Sequence, residues 1–403
     1  MDIVIISEFC EDFSQTDNDR FFYLAKMLTS NSDDNKVEII TSSFRHTTKK
    51  HRREPAVDWP FKITFVEEPG YPKNVCMKRF YSHRVWGRNV LNYIKSREKK
   101  PDVIYCAVPS LTGPNLVAKY CEKEKIRFVI DVQDLWPEAF QMAFNVPLVS
   151  KLAFAPFTML ANGIYKRADA ICAVSDSYCK RALSVNPKVR RVTPVFLGTA
   201  LDTFDCYAAT KPLMQKGADE VWLGYCGTLG NSYDLISVID ALLSMREEGA
   251  AVPFFLVMGD GPRKSEFEEY AQHKQIKCKF TGRLPYDQMC ALLSQCDIVV
   301  NPIVESSVAS IINKHADYAA VGCPVVNTQN SREYCELVEY YQMGFNCEPR
   351  DSAQMAECFK TLMNAPQLRI KMGKNARRCA EERFNRKQTY QSLMNVIAEE
   401  RSQ

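Results

Sequence analysis

The sequence predicts an α/β chain built as two parallel-sheet domains that face a central cleft. Three observations carry this. The length of 403 residues exceeds the ~250–300 at which one hydrophobic core stops growing. Short β-branched apolar runs alternate with amphipathic stretches, as in parallel sheets covered on both faces. The alternation lapses over 199–219 and then restarts, so one linker joins two halves of similar size.

In the first half, IVII (3–6), VEIIT (37–41), DVIYCAV (102–108), RFVIDV (127–132), ADAICAVS (168–175) and VTPVFLG (192–198) read as buried strands. Helical patterns such as RFFYLAKMLTS (20–30) and GPNLVAKYCEKEK (113–125) separate them. In the second half, VWLGYCGTL (221–229), PFFLVMG (253–259), CKFTG (278–282), DIVVNPI (297–303) and CPVVNT (323–328) are the strands. The charged stretch 375–400 has a helical period. The expected domains are therefore 1–198 and 220–374, with 375–403 packing back on the first.

Composition excludes several classes. Hydrophobic residues make up 46% and charged residues 25%, which sets aside disordered and fibrous chains. The sixteen cysteines contain no C-x-x-C pair, and many lie in apolar runs, so they read as reduced, buried thiols. The five histidines form no ligand spacing, and no metal is expected. Asp17-Asn18-Asp19 spells D-x-D, but just before a helix such residues are better read as a cap. MDIVIISEF lacks the basic start of a secretory signal, and LAFAPFTMLANGI (152–164) is too short to span a bilayer. The expected location is cytoplasmic. Between Arg45 and Lys100, fifteen Lys/Arg face five Asp/Glu, a local charge of +10 against −6 for the remainder. A solvated surface explains this, and so does a face turned to phosphate groups such as anionic lipid. No nucleic-acid motif accompanies it.

Four strings in the second half carry chemistry. GYCGTLGNSYDL (224–235) runs from a strand through Gly-x-x-Gly into a helix, where small residues and free amides suit an anion. VMGDGPRKSEFEEYA (257–271) and FTGRLPYDQMCALLSQCDIVV (280–300) are further strand–turn–helix units. In NPIVESSVASIINKHADYAAVGCPVV (301–326) a helix begins near Asn313 and ends near Gly322, with Lys314 and Asp317 on one face. A lysine there fits a diphosphate, and a carboxylate one turn on fits two ribose hydroxyls. A surface ion pair fits the spacing equally.

Taken in order, these strings resemble the donor half of family 4 glycosyltransferases of the GT-B fold, which pairs two Rossmann-like domains. They are most similar to bacterial capsule, O-antigen and exopolysaccharide transferases. DVQDLWPEA (131–139) and ADAICAVSDSYCKRAL (168–183) extend the resemblance to the first half. It implies a retaining transferase that uses a nucleoside diphosphate sugar, UDP by default, as substrate. The implied acceptor is a glycan on undecaprenyl diphosphate, reached at the inner face of the plasma membrane. Gly227, Thr228, Leu229 and Gly230 would then line the phosphate and sugar, and Asp260 and Gly261 would border the nucleotide. Arg283 and Leu284 would face the base. Asn313 would open the helix, Lys314 would neutralise the leaving diphosphate, and Asp317 would hold ribose. His315 is a bystander or a supporting group in this reading.

Departures from the family pattern bear on mechanism. The first acid of E-x7-E falls at Ala309, with Glu305 the nearest carboxylate upstream. Gln133, followed by Asp134, stands where a histidine is usual; it can donate a hydrogen bond but cannot act as a base. Ser14-Gln15 replaces the early Gly-Gly loop, while Arg20 is kept. An inactive nucleotide-sugar-binding subunit and a non-hydrolysing epimerase remain the alternatives.

Overall fold

The computed structural model describes residues 1–10, 19–52, 58–74, 76–138, 147–304 and 311–399. The chain forms two compact units, Met1–Phe196 with Tyr390–Gln403 and Leu197–Thr389.

The first unit holds a parallel sheet of seven strands, β1 (Asp2–Ile6), β2 (Lys36–Ser42), β5 (Lys62–Val66), β6 (Val103–Val108), β7 (Arg127–Val132), β8 (Ala170–Ala173) and β9 (Arg191–Pro194), in the order β5-β2-β1-β6-β7-β8-β9. The short strands Phe44–Arg45 (β3) and Lys50–His51 (β4) form an antiparallel pair that the apolar pattern did not foretell. β6 and β7 are buried at every residue, which is why they read as unbroken apolar runs. The helix Arg20–Asn31 packs Phe21, Phe22, Leu24 and Leu28 on this sheet, each worth ~1.5–3 kcal/mol of burial. Asp19 caps it, its carboxylate accepting from the Phe22 amide at 2.8 Å. Asp17 and Asn18 lie outside the described residues, as do Ser14 and Gln15.

The second unit repeats the plan with β10 (Trp222–Cys226), β11 (Phe254–Met258), β12 (Cys278–Gly282), β13 (Ile298–Asn301), β14 (Val325–Asn327) and β15 (Gly344–Asn346). The order is β12-β11-β10-β13-β14-β15, and every paired strand in the sheet is parallel. In both sheets the order reverses beside the first strand, the position at which such sheets bind ligands.

Two expectations need correction. The stretch 199–219 belongs to the second unit and contains the helix Leu201–Ala208, anchored by buried Leu201 and Phe204. The continuous helix expected over 375–400 is broken. Helix Pro366–Cys379 runs into the π-turn Ala380–Phe384, then short helices Arg386–Thr389 and Gln391–Ala398 follow. The break has a partner: the Thr199 amide donates to Phe384 O at 2.8 Å and the Arg386 amide to Thr199 O at 3.1 Å. Gly198, at φ +62°, admits this approach, since a Cβ there would lie 2.4 Å from Phe384 O. From Tyr390 onward the chain belongs to the first unit, where Tyr390, Leu393 and Ile397 join the core. Among the described residues no helix is long and apolar enough to cross a membrane.

Candidate functional site

At the reversal point of the second sheet three segments meet: the turn 227–230 after β10, the turn 259–261 after β11, and the helix Asn313–Val321. The helix is pinned to β10 by Tyr318, whose hydroxyl accepts from the Cys226 amide at 2.9 Å. Its end is set by Gly322 in the left-handed region.

Lys314 projects from the first turn of this helix into the protein and is only 7% exposed. Its Nζ has no hydrogen-bond partner among the described residues. It lies 4.2 Å from the ring centroid of Tyr225 and 3.9 Å from that of Tyr233. Burial pushes its pKa down to about 7. A desolvated ammonium costs several kcal/mol, of which cation–π contacts return about 2 kcal/mol. The balance is a standing preference for an anion. Gly227 makes room for it: at φ +138°, a Cβ would stand 2.9 Å from Nζ.

Asp317 sits one turn later, fully buried. Its Oδ1 accepts from the Tyr286 hydroxyl at 2.8 Å, and that hydroxyl lies 2.9 Å from Thr199 Oγ1. Burial raises its pKa to about 6, against the lowering effect of the Tyr286 bond and the Arg386 charge. So one carboxylate oxygen is already engaged before any ribose arrives. His315 is no bystander. Its ring stacks on Tyr334 at 3.5 Å, and its Nδ1 accepts from the Ile312 amide at 3.2 Å, fixing the helix start that presents Lys314. Burial holds it neutral.

The glycine turns pack against each other more than they face solvent. The Gly227 amide donates to Met258 O at 3.0 Å, and the Leu229 amide to Asp260 O at 2.9 Å. Leu229 O accepts from the Arg263 amide at 3.0 Å, while the Leu229 side chain lies in the core. Leu229 thus spends its amide and its side chain within the fold. Gly261 likewise serves packing: a Cβ there would meet Leu229 O at 2.3 Å. Thr228 and Gly230 keep amides without a partner among the described residues, and Thr228 is exposed. Asp260, Arg283 and Asn313 are exposed, and Leu284 is half-buried. Ala309 and Glu305 lie outside the described residues.

The first-unit candidates are differently placed. Asp134 has both oxygens occupied, by the Leu135 amide at 2.9 Å and Trp136 Nε1 at 3.1 Å. Burial still raises its pKa. Gln133 donates to Asp131 Oδ2 at 3.1 Å. Sequence reasoning had named both as catalytic candidates, and in the structure each is held by a neighbour one or two residues away.

Sequence reasoning passed over Tyr225, Tyr233, Tyr286 and Thr199. The first three flank or follow the glycine strings, so their signal was proximity alone. It also passed over a buried cluster at the strand ends of the first sheet. Glu8 follows β1 and is buried, and His83 Nε2 is 3.5 Å from its carboxylate. Burial and the neighbouring Glu68 push its pKa up. Burial and Arg79 hold His83 neutral, with a pKa of about 3. Arg79 lies over the Trp136 ring at 4.7 Å. A glutamate ending an apolar run was the available signal. Among the described residues no group of three His, Cys, Asp or Glu is placed to hold a metal ion.

Residues 220–365 match the model of a family described as Glycosyl transferases group 1. The matched stretch lies within the second unit, and the chain shares the GT-B fold of solved structures. Solved structures of similar fold include sucrose-phosphate synthase from Thermosynechococcus elongatus, at TM-score 0.69 and 15% identity over 98% of each chain. HepE from Anabaena in complex with UDP gives TM-score 0.69 and 15% identity, covering 99% of this chain and 100% of that one. WaaG, a glycosyltransferase involved in lipopolysaccharide biosynthesis, gives 0.66 and 15%, covering 98% and 99%. No curated protein sequence matches.

Proposed function

We propose that this protein is a glycosyltransferase that moves a sugar from UDP-sugar to a hydroxyl of a lipid-linked glycan, with retention at the anomeric carbon, in surface polysaccharide synthesis. The observation that carries the reading is the buried Lys314 ammonium, between two tyrosine rings at the start of a helix and without a hydrogen bond among the described residues. In the reaction the bond from the anomeric carbon to the β-phosphate oxygen breaks and a bond to the acceptor oxygen forms. The acceptor proton passes to the departing phosphate. Negative charge grows on that phosphate, and fixed donors that need no reorganisation stabilise it most. Lys314 and the Thr228 and Gly230 amides are the groups suited to this role, so no metal is required. Because the phosphate takes the proton, Gln133 in place of a histidine is no obstacle. HepE was solved with UDP and with UDP-glucose, which supports uridine as the base. WaaG acts in lipopolysaccharide synthesis, and the acceptor is inferred by that analogy together with the basic first unit. The enzyme would work from the cytoplasmic face of the membrane.

The test is calorimetry with UDP, GDP and ADP in EDTA, on wild type and Asp317→Ala. Selective UDP binding that the variant weakens supports the reading. A folded protein that binds none of the three overturns it.

A further inference from the structure

The helix Met77–Ser96 lies in the most basic stretch of the chain and was not foreseen. Its buried face carries Trp86, Gly87, Val90 and Ile94. Its outward face carries Met77, Lys78, Tyr81, Arg84, Arg88 and Lys95, all exposed. At 100° per residue, Met77, Tyr81, Arg84, Arg88 and Lys95 fall in one narrow stripe opposite the buried residues. The twenty residues include no aspartate or glutamate. Arg97, just past its end, pairs with Asp2 and Glu38. Lys78, Arg84 and Arg88 pair with no carboxylate among the described residues. They are charges left to a partner.

The apolar members of the stripe are unusual for a surface. Met77 is 81% exposed and Tyr81 62%. The helix Pro147–Arg167 touches it through Phe80 and Phe157, with rings 5.1 Å apart, and carries Met159, itself 74% exposed. Large apolar side chains beside an acid-free basic row match a bilayer interface, where the apolar groups enter the headgroup boundary and the cations meet phosphates. A nucleic-acid partner would leave the methionines unused.

We propose that this face is the surface by which the protein docks on anionic phospholipid. It builds on the reading of a lipid-linked acceptor. The full chain would be floated with vesicles of phosphatidylcholine, with and without phosphatidylglycerol, at low and high salt. Wild type is expected on anionic vesicles only, and to be released by salt. K78Q/R84Q/R88Q should weaken partitioning about a hundredfold. Met77→Ser with Tyr81→Ser should weaken it several-fold. K277Q/K371Q/K374Q, which removes equal charge from the second unit, should leave it unchanged. UDP calorimetry on each variant reports folding and keeps a failed donor site separate from a failed docking face. Absence of wild-type binding, or equal loss in both charge triples, overturns the proposal.

Discussion

Each unit buries a cation at the carboxyl side of its sheet, and the two are treated in opposite ways. Arg20 in the first unit donates twice to Asp131, at 2.8 and 3.1 Å, and also to Val195 O, Phe196 O and the Tyr390 hydroxyl. Lys314 in the second unit has two aromatic faces and no hydrogen bond among the described residues. A buried charge with every nitrogen engaged is part of the scaffold. One with its donors idle is held for an anion, and the fold carries the cost until that anion binds.

Substitution should separate the two roles. Arg20→Leu strands Asp131 in the core and should cost about 3–5 kcal/mol by urea unfolding. A cost below 1 kcal/mol would mean the pair is not structural. Lys314→Met should do the reverse. UDP affinity should fall ten- to hundredfold, for loss of a charge-assisted bond of about 1.5–3 kcal/mol. Stability should hold or rise.

The pH response follows from the same contrast. The Lys314 pKa is lowered from 10.5 to about 7. Between these values the unfolded chain binds more protons, so stability should rise with pH there, and the Met variant should lack that slope. For UDP the sign is opposite. Below about pH 7 the ammonium is already formed; above it, binding must take up a proton, so affinity should fall. Titrations in buffers of different ionisation heat would reveal that uptake, and its absence would remove Lys314 from the phosphate site.

Smaller effects sharpen the picture. Tyr286→Phe removes the hydrogen bond to Asp317 and should cost about 1 kcal/mol, with a few-fold loss of UDP affinity by calorimetry. Leu229→Met should cost less than about 1.5 kcal/mol by thermal unfolding and leave UDP affinity alone, because that side chain fills the core.

The sequence by itself determined the strand–helix alternation, the two-sheet plan and the helix from Asn313 to Gly322. These rest on local rules: apolar period, glycine at helix ends, small residues at turns. It also brought Lys314 and Asp317 onto one helix face, because three residues is nearly one turn. Tertiary structure decided the rest. Leu229 and Gly261 look like ligand contacts in a glycine string, yet Leu229 bonds the backbone of the neighbouring turn and Gly261 packs against Leu229 O. Asp317 finds Tyr286 thirty-one residues away. Tyr225, Tyr233 and Tyr286 gain their roles only when β10, its following turn and the helix Tyr286–Leu293 converge on one helix. Spacing along the chain fixes which residues share a face. Whether a polar group on that face is spent or idle depends on partners far away in sequence, and only packing supplies them.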